Sequence, residues 1–154
     1  MRSEELKPAV QVEVVAAKEA HCWELAQNMD EEGRELIRKG WDVDPYQGLL
    51  AAYRTSSLCW TALVDGEVAA MFGCAGEFGD SGYPWLTTAP PIDKVKLRFI
   101  RQSKRYIDLM RKTHSDLEAY VHEDNKPLIG WLKWAGFDVG AGRRGEFLRC
   151  VYRH

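Results

Sequence analysis

The stretch from residue 125 to residue 137 reads NKPLIGWLKWAGF, and it constrains the fold more than any other part of the chain. Its apolar residues recur with the spacing of an amphipathic helix that begins at Asn125. Gly136 stands where such a helix needs a residue that adopts the left-handed backbone conformation in order to stop. The stretch therefore predicts a short helix that ends in a Gly-Phe pair.

The composition of the whole chain is that of an ordinary globular protein. Its 154 residues are 45% hydrophobic and 29% charged, with a net charge of -2. These values exclude the disordered and fibrous classes and predict one domain, residues 1–154, with a sizeable core. A net charge so close to zero argues against a global attraction to nucleic acid, so such binding would need a local basic patch.

The spacing of the cysteines and the first residues of the chain predict the cellular compartment of the protein. The four cysteines are scattered and form neither a C-x-x-C motif nor a metal-ligand spacing. We therefore predict no metal site and interpret the cysteines as small core side chains in a reducing compartment. The start, MRSEE, is polar and is followed by no apolar block long enough for a signal peptide or a membrane span. These features predict a cytoplasmic protein.

Periodicity predicts strands and helices along the rest of the chain. A strand at 10–14 precedes helices at 16–29 and 45–55, which are joined by a mobile connection that includes the charged stretches 30–33 and 39–41. The clearest hairpin joins two apolar runs through Asp65-Gly66, residues that suit a tight turn. The later predicted elements are strands at 85–88 and 117–121, a helix at 94–112 capped by Asp93, and a hairpin of 137–139 with 147–152.

The segment 125–137 resembles the N-x-x-(small or apolar)-x-x-L-Y-x-x-x-G-F segment that closes the acyl-CoA site in the GNAT superfamily of N-acetyltransferases. The order of the predicted elements is also the GNAT order. The resemblance implies an α/β (α+β) GNAT-like domain. Its mixed, mostly antiparallel sheet has about six to seven strands, helices on both faces and splayed central strands. The strand-helix-strand crossover implies at least one parallel pairing.

Further phrases resemble one branch of that superfamily, the small GNAT-like proteins of tailed phages and prophages related to an internal virion protein of short-tailed phages. The phrases lie at 60–73, 82–88, 99–106 and 131–137. This resemblance implies an accessory or virion-associated role, with phage structural proteins as partners, in the bacterial host cytoplasm or the virion.

GNAT proteins hold the diphosphate of acetyl-CoA in a Q/R-x-x-G-x-G/A loop between the fourth strand and the next helix, where glycines let backbone N–H groups approach. Residues 88–96 of this chain read TAPPIDKVK, with two prolines that lack N–H groups and an acidic Asp93. Acetyl-CoA is the cofactor that the resemblance implies, but the standard diphosphate loop is absent. The candidate cofactor contacts are Thr87, Thr88, Lys94, Arg98, Arg101, Asn125 and Trp131.

The predicted helix after this loop carries a basic stripe. Its members share one helical face: Lys94, Arg98, Arg101, Arg105 and Lys112. The stripe is either an anion site, for cofactor phosphates or a nucleic-acid backbone, or a solvated face of an amphipathic helix.

Acetyl transfer to an amine needs a base for the ammonium and an acid for the thiolate leaving group. The candidate bases are Glu123 and His122 at a strand end, and Glu77 in a glycine-rich loop. The acid is missing from its usual place, where Leu132 replaces tyrosine. Tyr106 and Tyr120 could reach a cleft as alternative acids, but both fall at apolar positions and are interpreted as core residues.

Three functions follow from these observations. The favoured one is a phage accessory protein with a degenerate acetyl-CoA site and little or no acetyltransferase activity. The second is an active N-acetyltransferase of a small-molecule or protein amine. The third is a virion component that binds nucleic acid through the basic helix, against which the near-neutral charge argues.

Overall fold

The computed structural model describes residues 9–152, apart from the side chains of residues 40 and 41. Residues 1–5, on which the prediction of no signal peptide is based, lie outside this range. The strands are β1 Val12–Ala16, β2 Ser56–Val64, β3 Glu67–Ala75, β4 Tyr83–Thr88, β5 Leu117–His122, β6 Asp138–Arg144 and β7 Phe147–Tyr152. The α-helices are α1 Glu19–Asn28, α2 Glu31–Trp41, α3 Pro45–Thr55, α4 Lys96–Thr113 and α5 Lys126–Trp134, and a 3-10 helix covers Pro90–Val95.

The strands form two antiparallel sheets that touch at one place. The first sheet has the order β1-β2-β3-β4 and the second β5-β7-β6. A parallel bridge between Gly82 and Leu117 joins the edges of β4 and β5. There the Gly82 N–H donates to the Asp116 carbonyl at 2.8 Å, and the Glu118 N–H donates to the Gly82 carbonyl at 2.9 Å. Beyond this junction β4 and β5 diverge, which confirms the predicted splayed strands and the parallel pairing.

Helices cover both faces of the first sheet, as predicted. One face packs against α1, α2 and α3 through a cluster that includes Leu25, Leu49 and Met71. The other face packs against α4, where Phe72 and Phe99 meet with ring centroids 5.6 Å apart. The second sheet has one face in a cluster with α4 and α5. Its opposite face lies beside the space between β4 and β5.

The helix at 45–55 is confirmed, but the predicted connection before it is wrong. Helix α2 begins after Asp30, whose carboxylate accepts a hydrogen bond from the Gly33 N–H at 2.9 Å. Glu31 and Glu32 fall in its first turn and Arg38 and Lys39 in its last, an arrangement that complements the helix dipole. Ile37 packs into the core at 7% exposure. The charges that suggested a loop instead favour the helix.

The predicted cap of the long helix is also wrong. Pro90–Val95 forms a 3-10 helix, α4 begins only at Lys96, and Val95 caps it with no side-chain hydrogen bond. Asp93 therefore lies inside the 3-10 helix and does not cap α4. The two prolines start this tighter helix because their fixed φ suits its first turn.

Both predicted hairpins are present. Asp65 and Gly66 have φ angles of 50° and 83°, as a tight two-residue turn requires. The last hairpin is longer than predicted, because β6 continues to Arg144 after an irregularity between Val139 and Gly142. Gly136 has a φ of 104° and ends α5, as predicted.

The four cysteine side chains are buried or half-buried in the protein. Cys22, Cys74 and Cys150 are buried and Cys59 is half-buried. Desolvation raises the pKa of Cys59 and Cys74 to about 12, so both thiols stay protonated at neutral pH.

Within residues 9–152, no helix has the length and apolar character that crossing a membrane requires.

Gly82 provides a test of the junction between the sheets. A Cβ at this position would lie 2.6 Å from Cys74 Sγ and 2.7 Å from the ring of His114, both buried. Gly82→Ala should therefore lower the free energy of unfolding by about 1–3 kcal/mol, measured by denaturant titration. The control is Gly130→Ala in α5, where a Cβ meets no atom within 4 Å. It should raise stability by up to about 1 kcal/mol. Equal effects of the two changes would contradict the assigned packing.

His21 predicts a pH dependence of stability. Its Nδ1 accepts a hydrogen bond from the Lys18 N–H at 3.0 Å and lies 2.8 Å from Thr61 Oγ1. Burial lowers the pKa of His21 below its usual value, so the folded state favours the neutral ring. Its stabilising contribution should be present above about pH 6.5 and decline as the pH falls below that value. Denaturant titrations from pH 8 to pH 5 should show a smaller decline for His21→Gln. An unchanged slope would contradict this role.

Candidate active site

A cleft of about 1020 Å³ opens where β4 and β5 diverge. The two strand edges form its floor, α2 and α3 border one side, and α4 and α5 border the other. Apolar side chains of the second side include Leu86, Ile92, Phe99, Ile100 and Leu128. The cleft therefore combines a polar backbone floor with an apolar wall, which suits a linear ligand with amide groups.

The edge of β4 directs backbone groups into the cleft. The Ala89 N–H donates to the Ala69 carbonyl at 2.8 Å, so this peptide group faces β3. Antiparallel pairing alternates along a strand, and Gly82 at the other end faces β5. By the same alternation, the N–H and C=O groups of Leu86 and Thr88 face the cleft. A ligand that lies along β4 meets these groups as an added strand would.

The edge of β5 contributes side chains. Glu118, Tyr120 and His122 alternate along the strand and line the cleft, which Ala119 and Val121 also border. Leu117 is buried in the core and does not line it. Tyr120 is 37% exposed. The interpretation of Tyr120 as a core residue is therefore wrong, because its side chain is exposed beside the cleft, on the same face of the strand as Glu118. The phenol instead reaches the cleft.

Two arginines surround Tyr120. The guanidinium carbon of Arg144 lies 4.7 Å from the centroid of the tyrosine ring. Arg149 is the cross-strand partner of Tyr120, and its Nη2 donates to Glu118 Oε2 at 3.1 Å. The hydrogen bond from Arg149 to Glu118 raises the pKa of Arg149, so it stays charged. These cations would stabilise negative charge that develops beside the phenol.

His122 is buried at 4% exposure, and both of its nitrogens have partners. Its Nδ1 accepts a hydrogen bond from the Asp124 N–H at 3.1 Å, and its Nε2 lies 3.2 Å from Glu146 Oε2. This network assigns the proton of a neutral ring to Nε2, which then donates to the carboxylate. Neither nitrogen presents a free lone pair to a substrate, so the ring positions the turn at Glu146.

The other two candidate bases do not line the cleft. Glu123 Oε2 forms an ion pair with Arg143 Nη1 at 2.9 Å, on the side of the last hairpin. Glu77 lies exposed in the loop after β3. Within residues 9–152, no group of three His, Cys, Asp or Glu side chains is arranged to hold a metal ion.

No family model matches the chain, and no curated protein matches its sequence. Solved structures do match. PH1933 from Pyrococcus horikoshii OT3 has a TM-score of 0.70 at 15% identity, over 94% of this chain and 99% of that chain. A GNAT-family acetyltransferase from Bacillus anthracis has a TM-score of 0.64 at 8% identity, over 94% and 96%. PaiA N-acetyltransferase from Thermoplasma acidophilum, in complex with coenzyme A, has a TM-score of 0.60 at 14% identity, over 94% and 99%.

The fold is that of the GNAT acetyltransferases. The resemblance of the sequence implies a diphosphate loop in the segment that follows the fourth strand. Here that segment is the 3-10 helix, and Asp93 and Lys96 line the adjacent end of the cleft. The Ala89 N–H is already bonded to β3, and the Ile92 N–H donates to the Ala89 carbonyl at 3.0 Å.

The structure divides the predicted cofactor contacts into two groups. Those that line the cleft are Thr87, Thr88, Asn125 and Trp131. Lys94, Arg98 and Arg101 do not line it, and Arg98 Nη2 donates to the Val10 carbonyl at 2.9 Å, beside the first strand. The basic stripe therefore faces away from the cleft.

Two of the lining residues have structural partners. Asn125 caps α5 by accepting a hydrogen bond from the Leu128 N–H at 3.3 Å. The Trp131 indole donates to Ser103 Oγ at 2.7 Å and forms part of the apolar wall. Leu132, at the usual tyrosine position, is 2% exposed.

Proposed function

We propose that the chain is an N-acyltransferase that takes an acyl thioester of the CoA type in the cleft between β4 and β5. The observation that carries the proposal is that two unpaired strand edges with different chemical groups face each other across one cleft. The β4 edge offers backbone groups at Leu86 and Thr88, and the β5 edge offers the side chains of Glu118 and Tyr120. Coenzyme A in complex with PaiA, a protein of the same fold, supports the choice of a thioester.

The pantetheine arm contains amide groups that suit the β4 edge. Its reactive end would then lie near the junction of the sheets, where Glu118 and Tyr120 are close to the point at which the strands separate. The thioester supplies an activated acyl carbon with a thiolate leaving group. The residues of the chain orient it, exclude water with the apolar wall, and transfer protons.

In the proposed reaction, the Glu118 carboxylate takes a proton from the acceptor ammonium. The neutral amine forms a C–N bond to the acyl carbon, and the C–S bond breaks. The thiolate receives a proton from the Tyr120 hydroxyl, and the second proton of the amine passes to the resulting phenolate as the amide forms, which restores the hydroxyl. Tyr120 thus replaces the acid that Leu132 cannot supply, and Arg144 and Arg149 stabilise the negative charge.

The acceptor side of the cleft favours a cation. Asp30 and Glu32 line the side next to α2, opposite the apolar wall, and Glu118 adds a third carboxylate at the floor. The charges of Asp30 and Glu32 attract an ammonium and disfavour an anionic acceptor, while Arg149 offsets the charge of Glu118. An amine of a small molecule or of a protein therefore fits this side.

Tyr120→Phe tests the assigned acid. Loss of the hydroxyl should lower kcat by about 100-fold, with little change in the KM for the thioester, because the proton is needed only as the C–S bond breaks. Thiol release from acetyl-CoA with a panel of amines measures the rate. The matched control is Tyr106→Phe, since the Tyr106 ring packs 4.8 Å from Trp60 and 5.1 Å from Phe72 in the core. Full activity of Tyr120→Phe would reject the assignment.

A second candidate is an accessory protein of a tailed phage or prophage that is associated with the virion and has little or no acetyltransferase activity. The buried Leu132 and the proline-containing 3-10 helix favour it, because each replaces a group of the GNAT pattern. The tryptophan-rich phrases support the phage origin by resemblance. Its partners would be phage structural proteins.

Thermal unfolding with added thioester separates the two candidates. A ligand at one hundred times its Kd stabilises the folded state by about 2.7 kcal/mol, which raises the melting temperature. The acyltransferase should show this rise with millimolar acetyl-CoA and release thiol when an amine is added. The accessory protein should show an unchanged melting temperature and no thiol release. A rise in melting temperature with no release for any amine would support a binding role alone.

A further inference from the structure

We propose that the cleft recognises the acyl-pantetheine arm and makes no use of the nucleotide part of coenzyme A. This inference rests on the proposed function, because it concerns which donor the same cleft takes. It predicts that a pantetheine thioester without the ADP portion is as good a donor as acetyl-CoA.

The first support is the lack of free donors in the 3-10 helix. The open N–H groups of a helix are those of its first residues, and here these are Pro90 and Pro91, which have none. The next N–H, of Ile92, already donates to the Ala89 carbonyl. The i to i-3 pattern directs the following N–H groups toward the carbonyls of the first turn. In the described segment, a diphosphate would therefore meet carbon where the GNAT pattern presents amides.

The second support is the charge at this end of the cleft. The Asp93 carboxylate lines it and repels a diphosphate, and Lys96 is the cation that lines the same region. The remaining nearby cations lie elsewhere: Lys94 and Arg101 do not line the cleft, and Arg98 is hydrogen-bonded to the Val10 carbonyl. One cation beside one carboxylate gives little net attraction for two phosphate charges.

The third support is that the rest of the cleft keeps what the arm needs. Leu86 and Thr88 direct backbone groups toward it, and Ile100 and Leu128 form part of the apolar wall. The contacts for the reactive end and for the arm are therefore present while those for the diphosphate are not. The contacts with the donor therefore end beside Thr88, at the end of β4, before the diphosphate.

The test compares donors with the full-length protein and the same amine. S-acetyl-pantetheine should give a kcat/KM within about threefold of that for acetyl-CoA, since the nucleotide adds no charge-assisted hydrogen bond. A preference for acetyl-CoA of more than about tenfold would overturn the inference and leave the proposed function intact. Transfer from neither donor would reject the proposed function and this inference with it.

A variant of the 3-10 helix tests whether the diphosphate of acetyl-CoA lies beside Asp93. Asp93→Asn should improve kcat/KM for acetyl-CoA by about two- to fivefold and leave that for S-acetyl-pantetheine unchanged, because only the former carries a diphosphate. The control is Asp80→Asn, in the exposed loop before β4 and not in the cleft lining. Equal effects of Asp93→Asn on both donors would contradict the placement of the diphosphate beside Asp93.

A third donor identifies the source of the arm. A carrier protein that bears an acetylated phosphopantetheine presents the same arm without a nucleotide. Faster transfer from it than from S-acetyl-pantetheine would identify a carrier-bound donor. Equal or slower transfer would identify a free thioester. Either result agrees with recognition of the arm alone.

Discussion

Two backbone hydrogen bonds at Gly82 determine the shape of this molecule. They join the edges of β4 and β5 at one point, and the two sheets have no further ladder between them in the described chain. The absence of a Cβ at Gly82 lets this contact form beside Cys74 and His114. Because the strands separate immediately after the junction, the edges that would otherwise pair become the floor of a cleft. The fold therefore creates its site by interrupting a sheet.

The two sides of the cleft have different chemistry for the same reason. Alternation along β5 sends Leu117 into the core with α4 and α5 and Tyr120 into the opening. The helices that bury one face thereby leave the other face for polar groups. The GNAT fold provides this geometry, but the identities of Glu118, Tyr120 and Arg149 belong to this chain. The fold therefore sets where the cleft lies, and these side chains set its chemistry.

Local patterns predicted much of this architecture. The Asp65-Gly66 turn, Pro45 at the start of α3 and the left-handed Gly136 were readable because each depends on backbone preferences of neighbouring residues. The site was harder to predict. Tyr120 looked like a core residue because periodicity shows that two faces differ but not which face is covered. The pairing of His122 with Glu146 joins residues 24 apart and depends on tertiary packing. The helix α2 was missed because its charges act through the dipole and through Arg38, an effect that composition alone does not display.

The burial of the cysteines has a practical consequence for work on this protein. Desolvation raises the pKa of all four thiols, to about 11 for Cys22 and about 12 for Cys59 and Cys74. A thiol reacts as its thiolate, so these side chains are poor nucleophiles near neutral pH. Disulfide reagents added to the native protein should consequently react slowly with it. In a thiol-release assay, the absorbance from such a reagent would therefore report the thiol released from the substrate. The cysteines of the protein would contribute little background.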